Sequence, residues 1–181
     1  MKILGIIPAR YASTRFPGKP LTVINGKPMI QRVYEQSLKA ELLTDVVVAT
    51  DDQRIYDAVI AFGGKVMMTS TEHNSGTDRC CEIVGKIDGD YDAVVNIQGD
   101  EPFINPEQIN QIAELISSEE SQIASLCKPI KDADELFDNN VVKVVFDTRG
   151  KALYFSRQTI PFLRKVEKDE LAGYGTVHFS F

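Results

Sequence analysis

No apolar run in this chain of 181 residues approaches the roughly 20 that a membrane-spanning helix needs. Before Pro8 the N-terminus offers only Ile3-Leu4-Gly5-Ile6-Ile7, too short for the apolar centre of a secretory leader. These absences set the expectation of a soluble, cytoplasmic protein with no membrane partner. Cysteine is scarce as well. Cys80 and Cys81 are adjacent, Cys127 is distant, and no C-x-x-C pair or Cys/His spacing suggests zinc. All three read as buried or idle thiols in a reducing compartment. Neither common phosphate loop is present. Gly26-Lys27 is followed by Pro28 where a P-loop needs Ser or Thr, and no G-x-G-x-x-G occurs. The second absence disfavours an NAD-dependent oxidoreductase. Excess positive charge is missing too. The net charge is −6, which argues against general nucleic-acid binding.

That charge is unevenly spread. Residues 1–34 contain no Asp or Glu, but they hold Lys2, Arg10, Arg15, Lys19, Lys27 and Arg32. The rest of the chain carries 14 bases against 26 acids. A local cationic field in an acidic protein suits a small, highly charged anion better than a long polyanion.

With 43% hydrophobic and 25% charged residues, the composition is that of an ordinary globular chain, and the length suits one domain. Apolar runs alternate with amphipathic ones. Strands are expected at Ile3–Ile7, Val46–Thr50, Lys65–Thr69, Ala93–Gln98, Ile123–Pro129, Val141–Phe146 and Lys151–Ser156. Helices are expected from Pro28 to about Glu41, Asp52 to about Phe62, Thr77 to about Ile87, and Pro106 to about Ser118, with a short one near Asp132–Phe137. This alternation implies βαβ crossovers, hence an α/β fold with a mostly parallel sheet covered by helices on both faces. In such sheets ligands bind beyond the carboxyl ends of the strands. The loops after residues 7, 50, 69 and 98 are therefore the ones to inspect.

The first of these loops is unusually long for a compact domain, a feature often tied to function. Ile7-Pro8-Ala9-Arg10-Tyr11-Ala12-Ser13-Thr14-Arg15-Phe16-Pro17-Gly18-Lys19-Pro20-Leu21 presents three cations among small residues, with two hydroxyls. Arginine offers a planar donor fork for phosphate oxygens, and lysine a compact charge. A triphosphate needs such converging donors. After the fourth strand comes Asn96-Ile97-Gln98-Gly99-Asp100-Glu101-Pro102. One carboxylate suffices to anchor Mg²⁺ when substrate phosphates complete the shell. An aspartate in a turn is equally common, so Asp100 alone leaves both readings open. His73-Asn74-Ser75-Gly76-Thr77-Asp78-Arg79 follows the third strand and reads first as a helix cap. Ala49-Thr50-Asp51-Asp52 is explained by capping alone and is left out of the site. Tyr154-Phe155-Ser156-Arg157 reads as a strand end with a surface arginine.

The string from Ile7 to Leu21 resembles the N-terminal signature of the 3-deoxy-manno-octulosonate (Kdo) cytidylyltransferases. Gln98-Gly99-Asp100-Glu101-Pro102 is similar to a second hallmark of that family, and the His73–Arg79 and Tyr154–Arg157 segments resemble two more. The resemblance implies a three-layer αβα sandwich of the nucleotide-diphospho-sugar transferase (Rossmann-like) type. It implies cytidylyl transfer from CTP to Kdo for lipopolysaccharide biosynthesis. Arg10, Arg15 and Lys19 would hold the phosphates, and Asp100 would bind Mg²⁺. These four form the implied catalytic set. Ala9 and Ser13 would lie near the nucleotide, and Ser75, Gly76 and Arg79 would contact cytosine. Gln98 would face the reacting groups on the sugar side, and Arg157 would pair with the Kdo carboxylate.

The match runs from Met1 to about Arg157. Family members continue further, with an H-[IL]-G-x-Y-like segment and a D-T-P-E-D-L-like segment that supplies a second metal-binding aspartate. Neither string occurs here, and no role is carried onto His178. The expectation is one nucleotidyltransferase domain over residues 1–181, incomplete at its C-terminus and homodimeric in the full-length form. Transfer to another sugar acid of the sialic type, and a non-catalytic nucleotide-binding form, are the competing expectations.

Overall fold

The computed structural model describes residues 1–12, 16–118, 121–160 and the backbone of 179–180. It divides into two compact units, Met1–Ala124 and Ser125–Phe181.

In the first unit the chain runs β1 (Ile3–Ala9), β2 (Val23–Ile24), β3 (Lys27–Pro28), α1 (Met29–Ser37), β4 (Asp45–Thr50), α2 (Gln53–Ala61), β5 (Val66–Met68), α3 (Gly76–Lys86), β6 (Ala93–Asn96) and α4 (Pro106–Ile116). β5, β4, β1 and β6 form one sheet in that order, every pair parallel. The strands are near-continuous apolar runs because both faces are covered. On one face Ile3, Ile7 and Ala9 of β1 pack with Ile30, Val33, Ile55, Val59, Ile109 and Ala113, which come from α1, α2 and α4. On the other, Leu4 and Ile6 pack with Val47, Ala49, Cys80 and Ile83, the last two from α3. Leu4, Ile6 and Ile7 are fully buried, each stabilising the fold by about 1.5–3 kcal/mol.

The strand order matters more than the count. The chain builds outward from β1 through β4 to β5, then returns to place β6 on the other side of β1. The crossover from β1 runs to β4 on one side and the crossover from β5 returns to β6 on the other, so the order switches between β1 and β6 and opens a crevice at their carboxyl ends. The loops that enter it are those after Ala9 and after Asn96.

Several boundaries differ from the sequence reading. β2 and β3 form an unforeseen hairpin. Its turn, Asn25-Gly26, has φ of 47° and 78°, the left-handed pair that a two-residue hairpin requires. Pro28 belongs to that hairpin and caps α1 from outside, and the helix ends at Ser37 rather than near Glu41. The third helix is capped by Ser75, whose hydroxyl accepts from the Asp78 amide at 3.1 Å.

The second unit holds β7 (Lys128–Pro129), α5 (Ala133–Phe137), β8 (Lys143–Phe146), β9 (Ala152–Ser156) and β10 (Phe179–Ser180). The strand expected over Ile123–Pro129 is reduced to Lys128–Pro129. Ile123 is 93% exposed, so its apolar character reflects no buried strand. These strands do not extend the parallel sheet. They form a separate antiparallel one, ordered β7-β10-β8-β9. Within it Lys143 is fully buried, its ammonium donating to the carbonyls of Asp138 (2.6 Å), Val141 (2.8 Å) and Arg157 (3.2 Å). Burial holds that ammonium below its ordinary pKa.

Candidate functional site

A cavity of about 670 Å³ opens at the carboxyl end of the parallel sheet. Three segments of the first unit wall it. The β1 end contributes Pro8, Ala9 and Arg10, with Phe16, Lys19 and Pro20 from the loop that follows. His73–Gly76 and Arg79 come from the entrance to α3, and Gln98–Asp100 from the turn after β6.

Each segment is held by local chemistry. The basic loop is clasped where the Gly18 amide donates to the Tyr11 carbonyl at 2.9 Å. Gly18 has φ of 71°, and a Cβ there would come within 2.9 Å of the Tyr11 ring. Glycine is thus required twice over. Tyr11 is itself fixed by the Arg54 guanidinium stacked 3.3 Å from its ring centroid. Lys19 follows Gly18 directly, so the clasp sets where its side chain starts. Opposite, Gly99 lies so close to β1 that a Cβ would sit 2.7 Å from the Pro8 carbonyl oxygen. Backbone against backbone cannot yield there, and this close approach delivers Asp100 to the cavity.

Lys19 Nζ donates to Asp100 Oδ2 at 2.6 Å. The two side chains are 37% and 51% exposed. A cation from the acid-free strip and the carboxylate after β6 therefore meet across the crevice between β1 and β6. Arg10 makes no ion pair among the described residues and keeps its charge available. Among the described residues Asp100 is the only carboxylate in the wall, and these residues hold no cluster of three metal-ligating side chains. That donor set does not fit an all-protein metal cage. It fits a hard cation shared between one carboxylate and phosphate oxygens.

The third wall differs. Ser75 and Asp78 form a reciprocal capping box, and the first amides of α3 add partial positive charge. Arg79 is 3% exposed yet borders the cavity. Its Nη2 donates to Asp51 Oδ2 at 2.7 Å, and its Nη1 donates to the Thr69 hydroxyl and, at 3.3 Å, to the Ser70 carbonyl. Sequence reasoning passed over Asp51 and Thr69. Asp52 is the helix cap there, accepting from the Arg54 amide at 3.0 Å, while Asp51 turns to Arg79.

His73 bonds through Nε2 to Glu82, which also binds Lys86 and accepts from the Ser70 amide at 2.9 Å. Lys86, then His73, hold the Glu82 carboxyl down at about 2. A depressed carboxylate stabilises the fold above its ordinary value of 4.5 and loses that contribution as pH falls toward 2. Glu82→Gln should therefore flatten the fall of melting temperature across that window, as followed by circular dichroism.

Of the residues named from sequence, Ala9, Arg10, Lys19, Ser75, Gly76, Arg79, Gln98 and Asp100 come together around one cavity. Ser13 and Arg15 lie outside the described residues, as does His178. Arg157 belongs to the second unit, where its Nη1 donates to the Asn139 carbonyl at 2.9 Å.

A cytidylyltransferase family model matches residues 4–174. The 3-deoxy-manno-octulosonate cytidylyltransferase of Parabacteroides distasonis is 58% identical over 168 residues, covering 91% of this chain and 66% of that protein. The enzyme of the same name from Bacteroides thetaiotaomicron is 58% identical over 174 residues, covering 94% and 68%. The chain thus spans about two thirds of the length of these relatives. The solved structure of CMP:2-keto-3-deoxy-manno-octonic acid synthetase complexed with CTP superimposes with a TM-score of 0.88. It is 44% identical, and the match covers 99% of this chain and 71% of that one.

Proposed function

Since the chain belongs to the cytidylyltransferase family, we propose that it forms the nucleotide-binding part of an enzyme that transfers the cytidylyl group of CTP to Kdo. A hydroxyl oxygen of the sugar acid attacks the α-phosphorus of CTP. The new P–O bond forms as the bond to the β-phosphate breaks, pyrophosphate leaves, and the hydroxyl proton passes to solvent. No covalent enzyme intermediate is needed. The observation that carries this reading is the meeting of Lys19 and Asp100 at 2.6 Å over the β1/β6 crevice.

The chain's own residues supply position and charge. Arg10 and Lys19 neutralise phosphate oxygens, and Arg15 joins them from the same acid-free strip. Asp100 would hold Mg²⁺, which when bound would screen the triphosphate and polarise the α-phosphate. Ala9 and Ser13 border the nucleotide. Ser75, Gly76 and Arg79 form the cytosine end. Gln98 and Arg157 serve the sugar acid, the guanidinium pairing with its carboxylate. The substrates are two small molecules, CTP and Kdo, with neither nucleic acid nor membrane. On this reading the protein works in the cytoplasm as a homodimer.

Incubation with CTP, Mg²⁺ and Kdo, followed by mass spectrometry of products and a pyrophosphate assay, tests the reading. CMP-Kdo and pyrophosphate in equal amounts are expected. A preference for a sialic-type acid would move the substrate assignment. Thermal stabilisation by CTP without product would leave a nucleotide-binding module.

A further inference from the structure

We propose that Asp51, with Thr69, is a positioning residue that sets the base selectivity of the cavity by fixing the Arg79 guanidinium. The inference rests on the reading of Ser75, Gly76 and Arg79 as the base end of the site. It adds two residues from other elements and a reason for the choice of base.

Three elements converge on this one guanidinium. Asp51 directly follows β4, Thr69 directly follows β5, and Arg79 lies in the first turn of α3. The Thr69 amide donates to the Thr50 carbonyl at 2.8 Å, which ties the two strand ends together. Asp51 and Arg79 side chains are 15% and 4% exposed. Three of the five guanidinium donors are taken by Asp51, Thr69 and the Ser70 carbonyl. The group can neither swing toward the phosphate end nor retreat into the protein.

Charge separates this wall from the other end of the cavity. Arg10 makes no ion pair among the described residues, whereas Arg79 is neutralised within hydrogen-bond distance by Asp51. A buried, neutralised arginine draws little on a triphosphate, which leaves a polar, uncharged wall suited to a heterocycle. Arginine can only donate. Cytosine offers acceptors at N3 and O2, while uracil carries an N–H at N3. Held donors match cytosine at both atoms. With uracil the donor at O2 keeps its partner, whereas the donor facing N3 meets an N–H and is left unpaired, which is how a buried polar site discriminates.

Calorimetric titration of CTP, UTP and inorganic tripolyphosphate, with Mg²⁺, into wild type, Asp51→Asn and Thr69→Val tests the proposal. Wild type is expected to prefer CTP. Both variants should lose about tenfold of the CTP/UTP affinity ratio. Tripolyphosphate has no base, so its affinity should be kept in Thr69→Val and kept or tightened in Asp51→Asn, where the arginine charge is no longer balanced. A ratio unchanged in both variants overturns the proposal, as does an equal loss for all three ligands, which a merely structural role would give. If Asp51→Asn fails to fold by circular dichroism, Thr69→Val, which removes a single hydroxyl, decides the matter. Equal binding of CTP and UTP by wild type overturns the reading of the site as well as the proposal.

Discussion

Asp100→Asn should lower CTP-dependent pyrophosphate release by about 10²–10³-fold, the range seen when one preorganised electrostatic contact is lost. Folding should hardly change. The Lys19–Asp100 pair is 37% and 51% exposed, and exposed pairs contribute only about 0–1 kcal/mol. Asparagine also keeps the shape of the side chain beside Gly99. A third consequence has the opposite sign. Without divalent metal, the Asp100 carboxylate repels a triphosphate and competes with it for Lys19. The variant should therefore bind CTP more tightly than wild type in a chelator, and gain less from added Mg²⁺. Calorimetry with and without metal, beside a pyrophosphate assay, reads all of this. Normal turnover in Asp100→Asn would remove the carboxylate from the chemistry.

Arg79→Met should be the most destabilising change in the site, costing about 3–5 kcal/mol. That is a large share of the roughly 5–15 kcal/mol that holds a domain together. The cost comes from what is left behind. Asp51 would remain 15% exposed with no cation, and the Thr69 hydroxyl would lose its donor. Adding Asp51→Leu should recover most of the loss, because an apolar pair of similar volume leaves no buried charge. Denaturant midpoints should thus rank wild type and the double variant well above Arg79→Met. The double variant should still discriminate poorly between CTP and UTP. An Arg79→Met protein as stable as wild type would show that the pair carries no desolvation cost.

The parallel sheet was legible because burial on both faces writes β1 as Ile3-Leu4-Gly5-Ile6-Ile7, and because its helices carry clear caps such as Ser75. The β2/β3 hairpin was also legible in principle. Asn25-Gly26 is a strong hairpin signal, masked because Pro28 just after it reads equally as the first turn of a helix. The region after residue 120 was harder. Ile123 looked like strand but faces solvent, and the antiparallel sheet depends on pairing with residues far along the chain. In the site, motif strings singled out residues that now border one cavity. Asp51 escaped because capping explains an aspartate at that position, and Asp52 indeed caps α2. Only the spatial meeting of two strand ends with α3 reveals the difference between the neighbours.

The central claim is that one strip of cations and one aspartate face each other across the β1/β6 crevice to receive the triphosphate of CTP. Titrating CTP with Mg²⁺ into wild type and Lys19→Ala tests it most directly. A single site is predicted in wild type, competed by pyrophosphate and weakened at least about tenfold in the variant, with the fold unchanged. Equal affinity in the two proteins would contradict it.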